Sequence, residues 1–273
     1  MKYVLPAIAA VILLSGAVAQ AAVKTETVQY QVGGTQFRSV LAYDDAAKGK
    51  RPGIVVFPEW WGMNDYVKHR AQMLAELGYV ALAVDLFGEG KTTEDPAEAG
   101  KLAGALKADR NVLRQRANAG LDQLKQNPHV DAGKLATTGY CFGGVAALEL
   151  ARSGADVKAV VTFHAALDSP DPAAGKNIKG RVLICHGGDD TFVAPKDVEA
   201  FEQEMRQNHV DWQMNVYGNS VHSFTNPGAD KHGIPGIAYN ANADRRSWQA
   251  MREVFDAVFG TPGAAAGASL RKD

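Results

Sequence analysis

The stretch TTGYCFGGVAALELA, Thr137–Ala151, decides how this chain folds. A run of small and β-branched residues leads into Gly139-Tyr140-Cys141-Phe142-Gly143, and an alanine- and leucine-rich segment with helical character follows at once. G-x-C-x-G reads as a sharp turn from a strand ending at Tyr140 into a helix starting near Phe142, with Cys141 on the corner. Such a turn needs small residues two before and two after the corner, because larger side chains would collide across it. It lifts the corner side chain above the sheet, and the helix N-terminus behind it favours negative charge there. Taken alone, the segment leaves two readings open: a buried cysteine beside a glycine-rich helix start, or a nucleophile.

The flanking sequence has one organisation throughout. Upstream, TETVQYQVGGTQFRSVLAY reads as two strands about a Gly33-Gly34 turn. Ile54 to Phe57 is a continuous apolar run, as expected of a strand buried on both faces, and NDYVKHRAQMLAELG is a helix capped by Gly78. YVALAVDLFG is a further buried strand, Gly88 to Gly100 a loop, and Pro96 to Lys107 and Asp109 to Gln126 are helices. Lys134 to Tyr140 is the strand before the corner, and Phe142 to Arg152 the helix after it. Downstream come strands at Val157–Phe163, Arg181–His186 and Asp211–Tyr217, helices at Pro195–Asn208 and Ala243–Phe259, and a long loop from Asn219 to Ala238. Short apolar strands alternating with amphipathic helices imply an α/β fold with a mainly parallel sheet covered on both faces. Residues 20–260 read as one domain, and the small, polar residues 261–273 as a disordered tail.

Composition narrows the function. The chain has 273 residues, a formal net charge of −1, 46% hydrophobic and 22% charged residues. That balance suits a soluble globular protein and argues against nucleic acid as its main partner, since phosphate binding wants a basic surface. The N-terminus carries Lys2, an apolar stretch to about Leu14, and Ala17-Val18-Ala19. This pattern is that of a secretory signal over residues 1–19, with cleavage after 21 as the alternative and a retained anchor as the competing reading. It predicts a secreted or periplasmic protein with no membrane association after cleavage. The only cysteines are Cys141 and Cys185; in an exported chain they could pair, or stay as free buried thiols. There is no C-x-x-C, no phosphate loop and no histidine–carboxylate spacing for a metal, so neither cofactor nor metal is expected.

A thiol that attacks a carbonyl needs a base and an acid to orient it, and on this type of sheet they follow in the order nucleophile, acid, histidine. VLICHGGDDTFVAP supplies Asp189 and Asp190 after a strand, and VYGNSVHSFTNPG supplies His222 after the next. Either aspartate could also be a turn former, and His222 a solvated loop residue. His164, at a strand end on the same edge, could touch substrate or be a satisfied strand-end histidine.

GYCFGG, HGGDDTFVAP and VHSF together resemble the dienelactone hydrolase family of α/β-hydrolases, over about Gly53 to Phe259. The resemblance implies Cys141 as nucleophile, His222 as base and Asp190 as acid, with Asp189 as the fallback. It implies that Glu59, in FPEWWG, contacts the resting cysteine and takes its proton when substrate arrives, since a carboxylate beside a thiol favours the protonated form. It also implies an oxyanion hole from the backbone N–H groups of Phe142 and Trp60. Trp61, His164 and Phe224 are further expected around the substrate. Two positions depart from the family. Its dienelactone-cleaving members clamp the substrate carboxylate with two arginines, and the matching positions here hold Asn226 and Glu89. A glutamate there repels a carboxylate. The expected activity is therefore hydrolysis of an ester, lactone or thioester other than dienelactone, by a monomer or small homo-oligomer. The rival is a non-catalytic small-molecule binding protein on the same scaffold.

Overall fold

The computed structural model describes residues 23–260. The signal segment and the tail expected from the sequence lie outside the described residues. One eight-stranded sheet runs in the order β1-β2-β4-β3-β5-β6-β7-β8. Its strands are β1 (Val23–Val32), β2 (Thr35–Asp44), β3 (Arg51–Phe57), β4 (Val80–Ala83), β5 (Val130–Tyr140), β6 (Ala159–Phe163), β7 (Arg181–Gly187) and β8 (Trp212–Tyr217). The first two form an antiparallel hairpin, β2 pairs antiparallel with β4, and every later pairing is parallel. Gly33 and Gly34 turn the hairpin with φ of 57° and 82°, the left-handed conformations that a two-residue hairpin loop requires.

The helices are α1 (Asp65–Glu76), α2 (Pro96–Ala108), α3 (Arg110–Gln126), α4 (Phe142–Arg152), α5 (Pro195–Gln207) and α6 (Ala241–Phe259). Side chains of α2, α3, α4 and α5 share one apolar cluster with the sheet, and those of α1 and α6 share the other. This explains the unbroken apolar runs: Ile54, Val55, Val56 and Phe57 are all fully buried, because both faces of β3 are covered. Asn64, Asp109 and Asn240 cap α1, α3 and α6 by accepting N–H bonds from the first turn.

Two expected elements differ most in their bounds. The strand before the corner begins at Val130 rather than Lys134, and its register against β3 shifts between Pro52 and Gly53. The strand expected through YVALAVDLFG stops at Ala83. Its end follows from Asp85, whose fully buried carboxylate accepts N–H bonds from Phe87, Gly88, Gly90 and, on β2, Arg38. A buried carboxylate must be satisfied by donors, and folding the chain back around Asp85 supplies them.

Candidate active site

The corner after β5 is as tight as its glycines suggest. Cys141 sits at φ 53°, ψ −118°, a region that costs a non-glycine residue strain and occurs mostly where function maintains it. A Cβ on Gly139 would lie 2.0 Å from the carbonyl oxygen of Gly143, and one on Gly143 would lie 2.2 Å from that of Phe57. Only hydrogen fits at either place, so the two glycines let α4 start directly against β3 and β5. The Cys141 N–H donates to the Phe163 carbonyl at 3.0 Å, and its thiol makes no capping bond to the helix. The side chain is left free to face the cavity above the sheet.

His222 arrives on the loop after β8. That loop is pinned by His222 N–H to Gly236 O (3.1 Å) and Ala238 N–H to His222 O (3.2 Å). Nδ1 of His222 lies 2.8 Å from Asp190 Oδ2, while Asp190 Oδ1 accepts the Phe192 N–H at 2.9 Å. Asp190 is buried and its neighbour Asp189 is exposed, which separates the two aspartates that the sequence left side by side. Cys141 lies near enough for its charge to act on the imidazole. Burial pushes the His222 pKa down, but the charge of Cys141 and the bond to Asp190 outweigh it and raise the pKa to about 10. The imidazolium is thus favoured when the sulfur carries charge. Cys141 and His222 both line a cavity of about 150 Å³ with Ala103, Phe142, Val145, Ala166, Phe192 and Lys107.

Glu59 is 2% exposed and near enough to His222 to feel its charge. Its Oε1 accepts from Ser223 Oγ at 2.7 Å and its Oε2 from Asn226 Nδ2 at 2.6 Å. Both oxygens are therefore held by the His222 loop, and the resting hydrogen bonds go there rather than to Cys141 as the resemblance implied. Burial raises the Glu59 pKa, and the two hydrogen bonds and the charges of His222 and Arg70 only partly offset it. Among the described residues, neither the Trp60 nor the Phe142 N–H finds a backbone acceptor, so both amides stay available to a ligand oxygen.

The residues expected around the substrate fall elsewhere. Trp61, 4% exposed, stacks on His232 at 4.0 Å between centroids. Phe224 is fully buried in the cluster beneath α6 and packs edge-on to His164 at 5.2 Å. His164 is fully buried too, its Nε2 2.7 Å from Thr225 Oγ1, and burial holds its pKa well below the ordinary value. It is a neutral buttress, its ring edge-on to that of His222 at 5.3 Å. Asn226 binds Glu59 and the Gly228 N–H. Glu89 points out of the site into an ion pair with Arg38 at 2.8 Å. None of the five lines the cavity; Asn226 and Glu89 were marked by the positions they match in the family, and the aromatic character that marked Trp61 and Phe224 serves packing. The sequence reading passed over Ser223, Phe192, Ala103 and Ala166, for which no local pattern exists. Cys141 and Cys185 are both free thiols.

A model of the dienelactone hydrolase family matches residues 37–259. In solved structures, the chain is similar to the protein m3DLH, with 48% identity and a TM-score of 0.85 over 87% of this chain and 99% of that one. It is similar also to a dienelactone-hydrolase-like promiscuous phosphotriesterase from metagenomic libraries, with 43% identity and a TM-score of 0.84 over 87% and 99% of the two chains. A Bradyrhizobium protein named "Probable 2-oxo-3-(5-oxofuran-2-ylidene)propanoate lactonase" is 30% identical over 203 residues, 70% of this chain and 81% of its own. With its mostly parallel eight-stranded sheet and a family match spanning that sheet from β2 to α6, the chain is an α/β-hydrolase belonging to the dienelactone hydrolase family.

Proposed function

We propose that this hydrolase cleaves a carboxylic ester, lactone or thioester through Cys141, His222 and Asp190. One observation carries the reading: Cys141 and the Asp190-bound His222 line the same cavity. His222 takes the thiol proton and the thiolate adds to the carbonyl carbon. The oxyanion so formed accepts from the N–H groups of Trp60 and Phe142. As the tetrahedral species collapses, the carbonyl–heteroatom bond breaks and His222 returns its proton to the departing alcohol or thiol. Water then gives a proton to His222 and adds to the thioester, and the C–S bond breaks to release the acid as His222 returns that proton to the sulfur of Cys141. Asp190 accepts from Nδ1–H and holds Nε2 toward the sulfur. Glu59, buried beside the pair, is positioned by Ser223 and Asn226 to set the local charge.

Dienelactone is not the substrate in this reading, because Asn226 and Glu89 are both engaged within the protein and neither is a cation. Export belongs to the same reading, on the pattern of residues 1–19. Mixing the protein with p-nitrophenyl acetate should give a burst of p-nitrophenol stoichiometric with active sites, absent in Cys141→Ala. Dienelactone should turn over far more slowly than neutral esters. An unchanged burst in Cys141→Ala overturns the nucleophile, and no burst in either favours the binding-protein alternative. A phosphotriester belongs in the same panel, since that activity names a relative 43% identical to this chain.

A further inference from the structure

We propose that the cavity beside Cys141 is an acyl subsite, built for a compact acyl group of about six carbon atoms or fewer; this rests on the hydrolase reading above. At about 150 Å³ it falls well below the ~300–1,000 Å³ of ordinary small-molecule sites. A dry apolar cavity of roughly this volume holds one benzene molecule. The walls set the limit. Val145 lies one helical turn beyond Cys141, four residues on, so its side chain and the sulfur share one face of the first turns of α4. Ala103 of α2 and Ala166 after β6 each contribute a single methyl group. Val145 and Ala103 are 1% and 6% exposed, so these walls are backed by packed protein and do not yield to a longer chain.

The polar boundary is closed to a free anion. Lys107 is the one lysine or arginine on the wall, and its Nζ is 3.3 Å from Asp168 Oδ1. Asp168 is itself held by Arg110 at 2.6 Å, so the ammonium already has a fixed carboxylate partner. At the mouth stands Phe192, 49% exposed, its ring 5.0 Å from that of His222. It is one of two large apolar side chains left exposed among the described residues, and its backbone is tied to Asp190. An apolar ring in water beside a reactive imidazole gains from being covered by a ligand. The acyl group stays bonded to sulfur between the two half-reactions, so it occupies the walled side over Val145. The leaving group receives its proton from His222 and departs past Phe192 to solvent.

The test is a series of p-nitrophenyl esters from acetate to decanoate, with one leaving group throughout, beside acetyl esters of progressively longer alcohols. The expected wild-type kcat/KM peaks at short chains and falls at least ~10-fold by octanoate, since one methylene misfit in an apolar pocket counts ~10–200-fold. Val145→Ala should move the cut-off to longer acyl chains, and Ala103→Val and Ala166→Val to shorter ones, with the alcohol series little changed. Three variants on three elements keep the test decisive if one fails to fold, as judged by circular dichroism. A flat acyl profile, or variants that shift the alcohol series instead, overturns the subsite while a Cys141-dependent burst leaves the hydrolase reading standing. No burst with any ester sinks that reading itself.

Discussion

Glu59 shows how a single buried side chain can be a cost to the fold. Its carboxyl is buried, and its pKa is raised because burial outweighs its two hydrogen bonds and the nearby positive charge. A group whose pKa is higher folded than unfolded stabilises the fold fully below its unfolded value, and loses that contribution as pH rises through the folded value. Protonated Glu59 is therefore compatible with the fold at acid pH, and its ionisation erodes stability above about 4.5, the ordinary glutamate range. Glu59→Gln keeps the shape and can still bond to Ser223 and Asn226, but it cannot ionise. Wild-type Tm minus variant Tm should therefore fall as pH is raised from 4.5 to 8. A difference that stays constant across that range would show that Glu59 is not held against its ionisation. Ser223 belongs to the same arrangement: at φ 57° it is strained, and the strain turns its hydroxyl toward Glu59.

Helix α4 carries the site, and its far end is anchored as firmly as its start is strained. Arg152 is 1% exposed and makes a two-pronged bond to Glu204 of α5 at 2.8 and 2.7 Å, with Glu149 at 3.1 Å. Arg114 of α3 reaches the other oxygen of Glu149 at 2.7 Å. Two cations and two carboxylates thus tie three helices together beneath the sheet. A buried set of this kind adds little over a well-packed apolar one, but removing one partner strands a charge in the interior, at a cost of about 3–5 kcal/mol. Arg152→Met should lower the unfolding free energy by about that amount in urea titrations, and Glu204→Met in the same chain should recover part of it. A single replacement that costs less than about 1 kcal/mol would mean that water already reaches these charges.

Across the whole molecule, the chemistry collects at one edge because the strands are parallel. Glu59 follows β3, Cys141 follows β5, Asp190 follows β7 and His222 follows β8, so every one of them lies beyond the carboxyl end of a strand. The same architecture keeps the two cysteines apart in role. Cys141 faces the cavity, whereas Cys185 is fully exclused from solvent within β7, and burial pushes its thiol up to about 12. Titration with a chromogenic disulfide should find one fast thiol in the native protein and a second only after unfolding. Cys141→Ala should remove the fast one. No reactive thiol in either state would reveal a disulfide and end the nucleophile's candidacy.

The sequence by itself determined the parallel α/β order and the elbow at Cys141, because these are local. Gly139 and Gly143 report a steric demand within five residues, and buried strands announce themselves by unbroken apolar runs. Tertiary structure set Asp190, which the resemblance already favoured over Asp189, against His222; it alone turned Glu59 toward Ser223 and Asn226 and ended β4 before Asp85. It also sent Trp61, His164, Phe224, Asn226 and Glu89 out of the cavity and brought Ala103, Ala166 and Phe192 into it. Each of those outcomes depends on which surfaces meet when distant segments pack: a side chain's burial and its hydrogen-bond partner are properties of the neighbours that the fold supplies, and residue type does not encode them.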